Sequence, residues 1–403
     1  VSEEFDKIFR TLKSNGLVGK HQQAQAKEAH SKDAQQATKD RPAAEKPPAG
    51  AAPSPLSEKA TIEDEEELKK FLEESKPKIL VVGTGGSGSN TITRMREIGI
   101  FGAKLVAMNT DAQHLLRVQA DKRLLIGKMK TKGLGAGSNP DVGQAAAEES
   151  EADIKAMIQD ANMVFITCGM GGGTGTGSAY IIARAAKQNA ALVVGVVTLP
   201  FSSEGPVRMR NALEGFEKLR KEADTTIVIP NDRLLSYVPD LPLNAAFKAC
   251  DMVLANAVKG ITELVTKPGL VNLDFADLKT ILQGSGTAMI GLGEVGTLET
   301  RDRVVQAAEK ALSSPLLEVD LKEANKALIN VTGGENLTLG EAEAAVNAIA
   351  GKIAKDSHII WGATVEPELG NAVRVLAVLA GIKHAPFETP QDKDFMDLDS
   401  VGF

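Results

Sequence analysis

The sequence predicts an α/β fold: a parallel sheet covered by helices on both faces, then a long helix and a smaller α/β unit. Short apolar runs recur without polar alternation, as strands buried on both faces do. Helical patterns separate those runs, which is the texture of a parallel sheet. Glycine-rich segments stand directly after two of the runs, where such a sheet presents its carboxyl edge to phosphate ligands.

Residues 1–60 read as an extension. From about Gly16 to Lys59 the chain is rich in Ala, Gln, Lys, Pro and Ser and has no apolar periodicity, so it is expected to be disordered. Ahead of it, Phe5, Ile8, Phe9 and Leu12 fall on one helical face. Such a segment suits a frayed or docked helix, or a peptide that binds a partner or a membrane surface. Residues 62–75 read as a short lead-in helix with Leu68, Phe71 and Leu72 on one side.

From Lys78 the predicted strands are Ile79–Val82, Leu105–Met108, Leu124–Ile126, Met163–Thr167, Ala191–Val197 and Thr226–Ile229. Helices are expected near Asn90–Ile98, Gly143–Gln159, Gly177–Gln188 and Pro206–Glu222, followed by a long apolar-rich helix over Leu243–Thr266. The pattern then restarts: helical Arg301–Leu312, strand-like Ala327–Val331, helical Leu339–Ile353, and strand-like His358–Ala363 and Ala372–Val378. The tail from about Pro386 is acidic. The expected divisions are 1–60, 61–242, 243–284, 285–385 and 386–403.

Composition narrows the function. At 403 residues the chain exceeds one compact domain, and its 43% hydrophobic content supplies a core. Asp and Glu outnumber Lys and Arg by 53 to 46, which argues against a general nucleic-acid binder. Cys168 and Cys250 sit inside apolar segments, so a disulfide framework is not expected and a reducing compartment is. No apolar run approaches the ~20 residues that span a bilayer. The N-terminus lacks the apolar centre of a secretory signal, and the expectation is a cytoplasmic protein without a transmembrane segment.

The segment Gly169–Gly177 reads G-M-G-G-G-T-G-T-G between a strand and a helix. Glycines let backbone N–H groups approach an anion, and the helix that follows adds its unsatisfied N–H groups and positive end. Thr174 and Thr176 are expected to add hydroxyl donors. A second loop, Gly83, Gly85, Gly86 and Gly88 with Asn90, fits G-x-G-x-x-G, and Asp111 stands near where a dinucleotide enzyme places its ribose-binding acid. A nicotinamide dehydrogenase reading leaves the stronger loop at the fourth strand unexplained. With no G-x-x-x-x-G-K-[ST] in the chain, an ordinary P-loop is disfavoured as well. A third run, Gly133–Pro140, either wraps a terminal phosphate or simply starts a helix.

Together these residues resemble the tubulin/FtsZ superfamily. The glycine run is similar to its hallmark loop. N-T-D-A-Q at Asn109–Gln113, K-G-L-G-A-G at Lys132–Gly137, I-P-N-D at Ile229–Asp232 and N-L-D-F-A-D at Asn272–Asp277 support an FtsZ-like match from about Lys78 to Ile382. The resemblance implies a GTP-binding domain, a central helix with a catalytic loop, and a smaller C-terminal α/β domain.

Its implied ligands are GTP and GDP with Mg²⁺. Gly86, Ser87, Gly88, Ser89 and Asn90 would line the phosphates and nucleoside. Ala136 and Gly137 would approach the terminal phosphate, and Gly172, Gly173, Thr174, Gly175 and Thr176 would hold the phosphates from the other side. Glu204 and Arg208 would contact the ribose and nearby atoms, although alone they read as a solvated i, i+4 pair. Asp251 would read guanine's paired N–H donors. Phe247 would stack on the base, although alone it reads as a core aromatic.

Asn272, Asp274 and Asp277 would enter the nucleotide site of the next subunit and orient the attacking water. Taken alone, the two Asp residues read equally as helix N-terminal acids. The implied protein is an assembly-dependent GTPase that polymerises head-to-tail and scaffolds the division ring at mid-cell. Membrane-anchor or regulatory partners would be met through the N-terminal segment or the tail. The alternative is a cytoskeletal or regulatory GTP-binding relative with no part in division. Ser87 and Ser89 interrupt a loop that is nearly all glycine in many relatives. The tail also lacks the proline-containing peptide typical of bacterial members, so the reading leans to an archaeal type.

Overall fold

The computed structural model describes residues 76–235, 243–267, 269–271, 273–296, 302–317 and 320–382. The extension, the lead-in helix, Asn272 and the acidic tail lie outside the described residues.

The first region runs β1 (Ile79–Thr84), α1 (Gly85–Ile98), β2 (Ala103–Asn109), α2 (Ala112–Arg117), β3 (Lys122–Leu125), α3 (Lys128–Thr131), α4 (Pro140–Glu149), α5 (Glu151–Ile158), β4 (Met163–Gly169), α6 (Thr174–Gln188), β5 (Leu192–Leu199), α7 (Pro206–Glu222), β6 (Thr225–Pro230) and α8 (Asn231–Leu235). The long helix α9 (Leu243–Thr266) follows, then α10 (Phe275–Leu282), β7 (Gly286–Val295), α11 (Arg303–Leu312), β8 (Lys326–Gly333), α12 (Leu339–Ala350), β9 (His358–Val365) and β10 (Val373–Ala380).

The first six strands are parallel, in the order β3-β2-β1-β4-β5-β6. All eight residues of β5 are buried, which is why its sequence shows no polar alternation. On one face, Val81, Val194 and Ile227 pack with Ile92 and Met95 of α1 and Leu254, Val258 and Ile261 of α9. On the other, Val82, Ile166 and Val197 meet Ile154 and Ile158 of α5, Ile182 of α6 and Phe216 of α7.

The sheet does not stop at β6. Thr225, Thr226 and Ile227 pair in parallel with Gly286, Thr287 and Ala288 of β7. β10 then lies antiparallel between β7 and β8, and β9 pairs in parallel with β8. Their far face is closed by α11 and α12, through Ala307, Ala311, Ala345 and Ile349.

Three local differences from the sequence reading have physical causes. β7 was not predicted, because Gly286, Gly291 and Gly293 interrupt its apolar run. Two of those glycines admit α11: a β-carbon would sit 2.2 Å from the Ala311 carbonyl at Gly291 and 2.0 Å from the Ala307 carbonyl at Gly293. The helix predicted as Gly143–Gln159 is two helices, broken at Ser150, whose hydroxyl accepts the Gly127 N–H at 2.9 Å. Finally, α1 starts at Gly85 rather than Asn90, so its glycine-rich segment is the first turn of the helix.

Candidate functional site

Because β1 and β4 are paired neighbours, the N-termini of α1 and α6 lie side by side at the carboxyl edge of the sheet. A β-carbon on Gly85 would stand 2.7 Å from the Gly175 nitrogen. The first N–H groups of each helix have no intrahelical acceptor, and neither first turn holds an acidic residue. Two positive helix ends therefore converge on one spot, which is an anion cradle by construction.

The glycines of that cradle divide by role. Several serve close packing: a β-carbon on Gly88 would lie 2.4 Å from the Thr167 carbonyl, and one on Gly173 2.8 Å from Ala136 Cβ. Gly177 and Gly143 let α4 and α6 touch, with clashes of 2.1 Å to the Pro140 carbonyl and 2.2 Å to the Gly173 carbonyl. Gly171 adopts φ 92°, and a side chain there would strike the Arg208 backbone. Gly172 and Gly137, by contrast, face open space.

The hydroxyls are partly engaged within the protein. Thr176 is buried and accepts the Gly171 N–H at 2.8 Å, so its oxygen shapes the loop. Thr174 lies 2.6 Å from Thr110 Oγ1. Ser89 is fully buried, and its Oγ has no hydrogen-bond partner. Asn90 is exposed and accepts from His114 Nε2 at 3.0 Å, while Asn109 Nδ2 stands 3.2 Å from His114 Nδ1. Asn109 Oδ1 accepts the Thr110 and Asp111 N–H groups, which turns Nδ2 toward His114 as the donor.

A second group lies beside the cradle. Asp251, early in α9, is buried, and among the described residues its Oδ1 meets only Ser87 Oγ at 3.5 Å and Thr91 Oγ1 at 3.3 Å. Burial pushes its carboxyl up to about 7, against the opposing pull of Thr91, Arg94 and Ser87. A poorly satisfied buried carboxylate favours a ligand that brings N–H donors. Phe247, one helical turn earlier, is 38% exposed and touches Phe201 edge-on, with ring centroids 5.3 Å apart. Glu204 accepts the Phe201 N–H at 2.8 Å and pairs with Arg208 Nε at 3.0 Å, so the i, i+4 pair exists and borders the glycine loop through Gly171.

Asp274 and Asp277 are not part of this cluster. Asp274 caps α10 by accepting the Asp277 N–H at 2.7 Å, and both carboxylates are exposed. Roughly 22 Å of helix rise separates Asp251 from Thr266. The Thr266 hydroxyl donates to the Phe101 carbonyl, on the loop that enters β2. The end of α10 reaches Thr225, the first residue of β6. The acids thus belong to the amino edge of the sheet and the cradle to the carboxyl edge.

Comparison with known proteins follows this division. Residues 78–239 match the GTPase domain of the Tubulin/FtsZ family, and residues 286–383 match the C-terminal domain of the FtsZ family. Cell division protein FtsZ 1 of Archaeoglobus fulgidus is 54% identical over 79% of this chain and 86% of its own length. The chain belongs to the FtsZ family.

Membership makes it a GTPase, and the ligand of its nucleotide domain GTP or GDP. A solved Methanocaldococcus jannaschii FtsZ, described as an empty dimer, superposes with a TM-score of 0.76 at 54% identity, covering 80% of this chain and 93% of that one. CetZ2 from Haloferax volcanii shares the fold, with a TM-score of 0.70 at 19% identity over 80% of this chain and all of that one. The two FtsZ relatives named above are archaeal, in line with the archaeal-type reading.

Sequence reasoning missed Thr91, His114 and Thr110. Thr91 had a usable signal, since it falls one helical turn after Ser87. His114 and Thr110 are recruited by chain crossings that no spacing announces. Both cysteines are free and buried, and burial pushes their thiols up to about 12, which keeps them unreactive. Among the described residues no helix is long and apolar enough to cross a membrane.

Proposed function

We propose that this GTPase assembles head-to-tail, and that Asp274 and Asp277 of one subunit complete the nucleotide site of the next. The observation that carries the reading is the placement of the two groups at opposite edges of one sheet. A water-activating carboxylate must come within ~3 Å of the water it orients. No side chain spans the length of α9, so a second subunit has to supply the acids. The contact joins different surfaces, so it repeats into an open filament. The dimer described for the M. jannaschii relative supports self-association.

Within the site, the backbone from Gly86 to Asn90 and from Gly172 to Thr176 would face the phosphates, although the Ser89 and Thr176 side chains are turned into the fold, and Gly172 leaves open space beside it. Ala136 and Gly137 would close over the terminal phosphate. Asp251 would accept the guanine N1–H and N2–H₂ groups, with Phe247 against the base and Glu204 and Arg208 near the ribose. Among the described residues no three metal-ligating side chains converge. Mg²⁺ would therefore ride on the phosphates and offset their charge. Asp274 and Asp277 would orient and polarise the attacking water, with Asn272 in the same loop.

The filament would scaffold the division ring at mid-cell, with anchors or regulators met through the N-terminal segment or the tail. Phosphate release measured against protein concentration tests the shared site. Release should rise more steeply than linearly, with polymers visible by negative stain in GTP and not in GDP. Strictly proportional release from dilute subunits would sink the reading.

A further inference from the structure

The acids sit on the first turn of α10, and at the far end of that helix each of the last four carbonyls has a donor. A helix ends with four carbonyls that lack intrahelical donors. In α10 they belong to Lys279, Thr280, Ile281 and Leu282. The Gln283 N–H donates to Lys279 at 2.8 Å, and Lys326 Nζ donates to Thr280 at 3.1 Å. The Ser285 hydroxyl donates to Ile281, and the Thr225 hydroxyl donates to Leu282. Lys326 Nζ also reaches the Gln283 carbonyl at 3.4 Å and Ser285 Oγ at 2.9 Å.

Two of these donors come from separate parts of the fold. Thr225 opens β6, on the nucleotide side of the sheet, and Lys326 opens β8, on the C-terminal side. Lys326 also brings a cation to the negative end of the helix dipole. The loop ahead of α10 is tied to the same C-terminal strands: Leu270 N donates to the Ala363 carbonyl at 2.8 Å, and Ala363 N donates to Val271 at 3.2 Å.

Eight residues of helix span ~12 Å, so a tilt of about 5° at the clamped end moves Asp274 by ~1 Å. Misplacement on the order of 1 Å costs up to ~100-fold in a reaction governed by orientation. We propose that Lys326, together with Thr225, is a positioning residue for GTP hydrolysis, fixing α10 so that Asp274 and Asp277 meet the neighbouring subunit's nucleotide. The assignment rests on the reading that these acids act across the subunit contact.

The test uses the full chain and four variants, Lys326→Met, Lys326→Arg, Thr225→Val and Asp274→Asn. Two quantities are read: GTP affinity of dilute subunits, and turnover per sedimented subunit at saturating GTP. Lys326→Met and Thr225→Val should each lower turnover on the order of 10-fold while GTP affinity stays within about twofold. Lys326→Arg, which keeps the cation and its donors, should retain most of the turnover. A purely structural role would lower the melting temperature and leave turnover per assembled subunit unchanged.

Normal turnover in both Lys326→Met and Thr225→Val, with Asp274→Asn inactive, overturns the positioning role alone. Full turnover in Asp274→Asn overturns the shared-site reading and this assignment with it. If Lys326→Met does not fold, the isosteric Thr225→Val carries the comparison. Loss of GTP affinity in every folded clamp variant also overturns the assignment, because the clamp would then serve the nucleotide domain.

Discussion

Thr91 and Asp251 stand 160 positions apart in the chain, yet the Thr91 hydroxyl donates to the Asp251 carboxylate at 3.3 Å. That contact joins the glycine-rich helix to the central helix at the point where a base would be read. It is also too weak to satisfy a buried carboxylate, and this sets the chemistry of the pocket.

Burial raises the Asp251 carboxyl to about 7, well above the ordinary 3.8. A raised acid contributes stability to the empty protein that is fully present below pH 3.8 and is lost as pH rises through about 7. On the proposed reading, Asp251 accepts the guanine N–H donors in its ionised form. GTP affinity should therefore weaken by up to about tenfold for each pH unit below 7. Calorimetry near pH 6.5 in buffers of different ionisation enthalpy should detect a proton released on binding, and no released proton would contradict the role of Asp251.

Asp274 both caps α10 and, on the proposed reading, orients water. Asp274→Asn keeps an oxygen acceptor for the Asp277 N–H but removes the charge. It should melt close to the parent and bind GTP normally, with turnover reduced by about 100-fold or more. Asp274→Ala should lose turnover as well and also cost ~1 kcal/mol of stability through the lost cap. Equal turnover in parent and Asn variant would remove Asp274 from the chemistry.

Two glycines of the same region should respond in opposite ways. A methyl at Gly143 would press on the Gly173 carbonyl, so Gly143→Ala should destabilise by about 1–3 kcal/mol in thermal melts. A methyl at Gly172 meets no protein atom, so Gly172→Ala should leave stability within about 0.5 kcal/mol. It should instead weaken GTP binding by narrowing the cradle. Unchanged GTP affinity would place the phosphates elsewhere.

Phe247 touches Phe201 only edge-on and stays partly exposed. Phe247→Ala should lower guanine nucleotide affinity by about 0.5–1.5 kcal/mol, measured by fluorescence titration. A melting temperature that falls while affinity holds would assign the ring to the core instead.

Much of this fold was legible in the sequence because its signals are local. The bounds of α7 and α9 match the predicted ones, since Pro206 opens the first and a sustained apolar stripe defines the second. β1, β4 and β5 show continuous apolar runs because both of their faces are covered. β7 stayed hidden because glycines that admit α11 erase the apolar pattern that marks a strand.

The site was legible unevenly. The anion cradle announced itself through glycines at strand–helix junctions, although packing explains several of those glycines as well as phosphate does. Asp251 and the acid pair were readable only through family resemblance, because a carboxylate on a helix says nothing of what faces it. Thr91, His114 and the Lys326 clamp depend on contacts between distant segments, which leave no periodic trace.

The opposite-edge placement of cradle and acids has an arithmetic consequence for any head-to-tail row. A row of n subunits contains n − 1 joints, so one terminal nucleotide always lacks a donor of acids. On the proposed shared-site reading, that terminus would keep its triphosphate until another subunit arrives, while every interior joint would run its own clock. The two tips of such a row would therefore be chemically unlike from the first dimer onward, by counting alone.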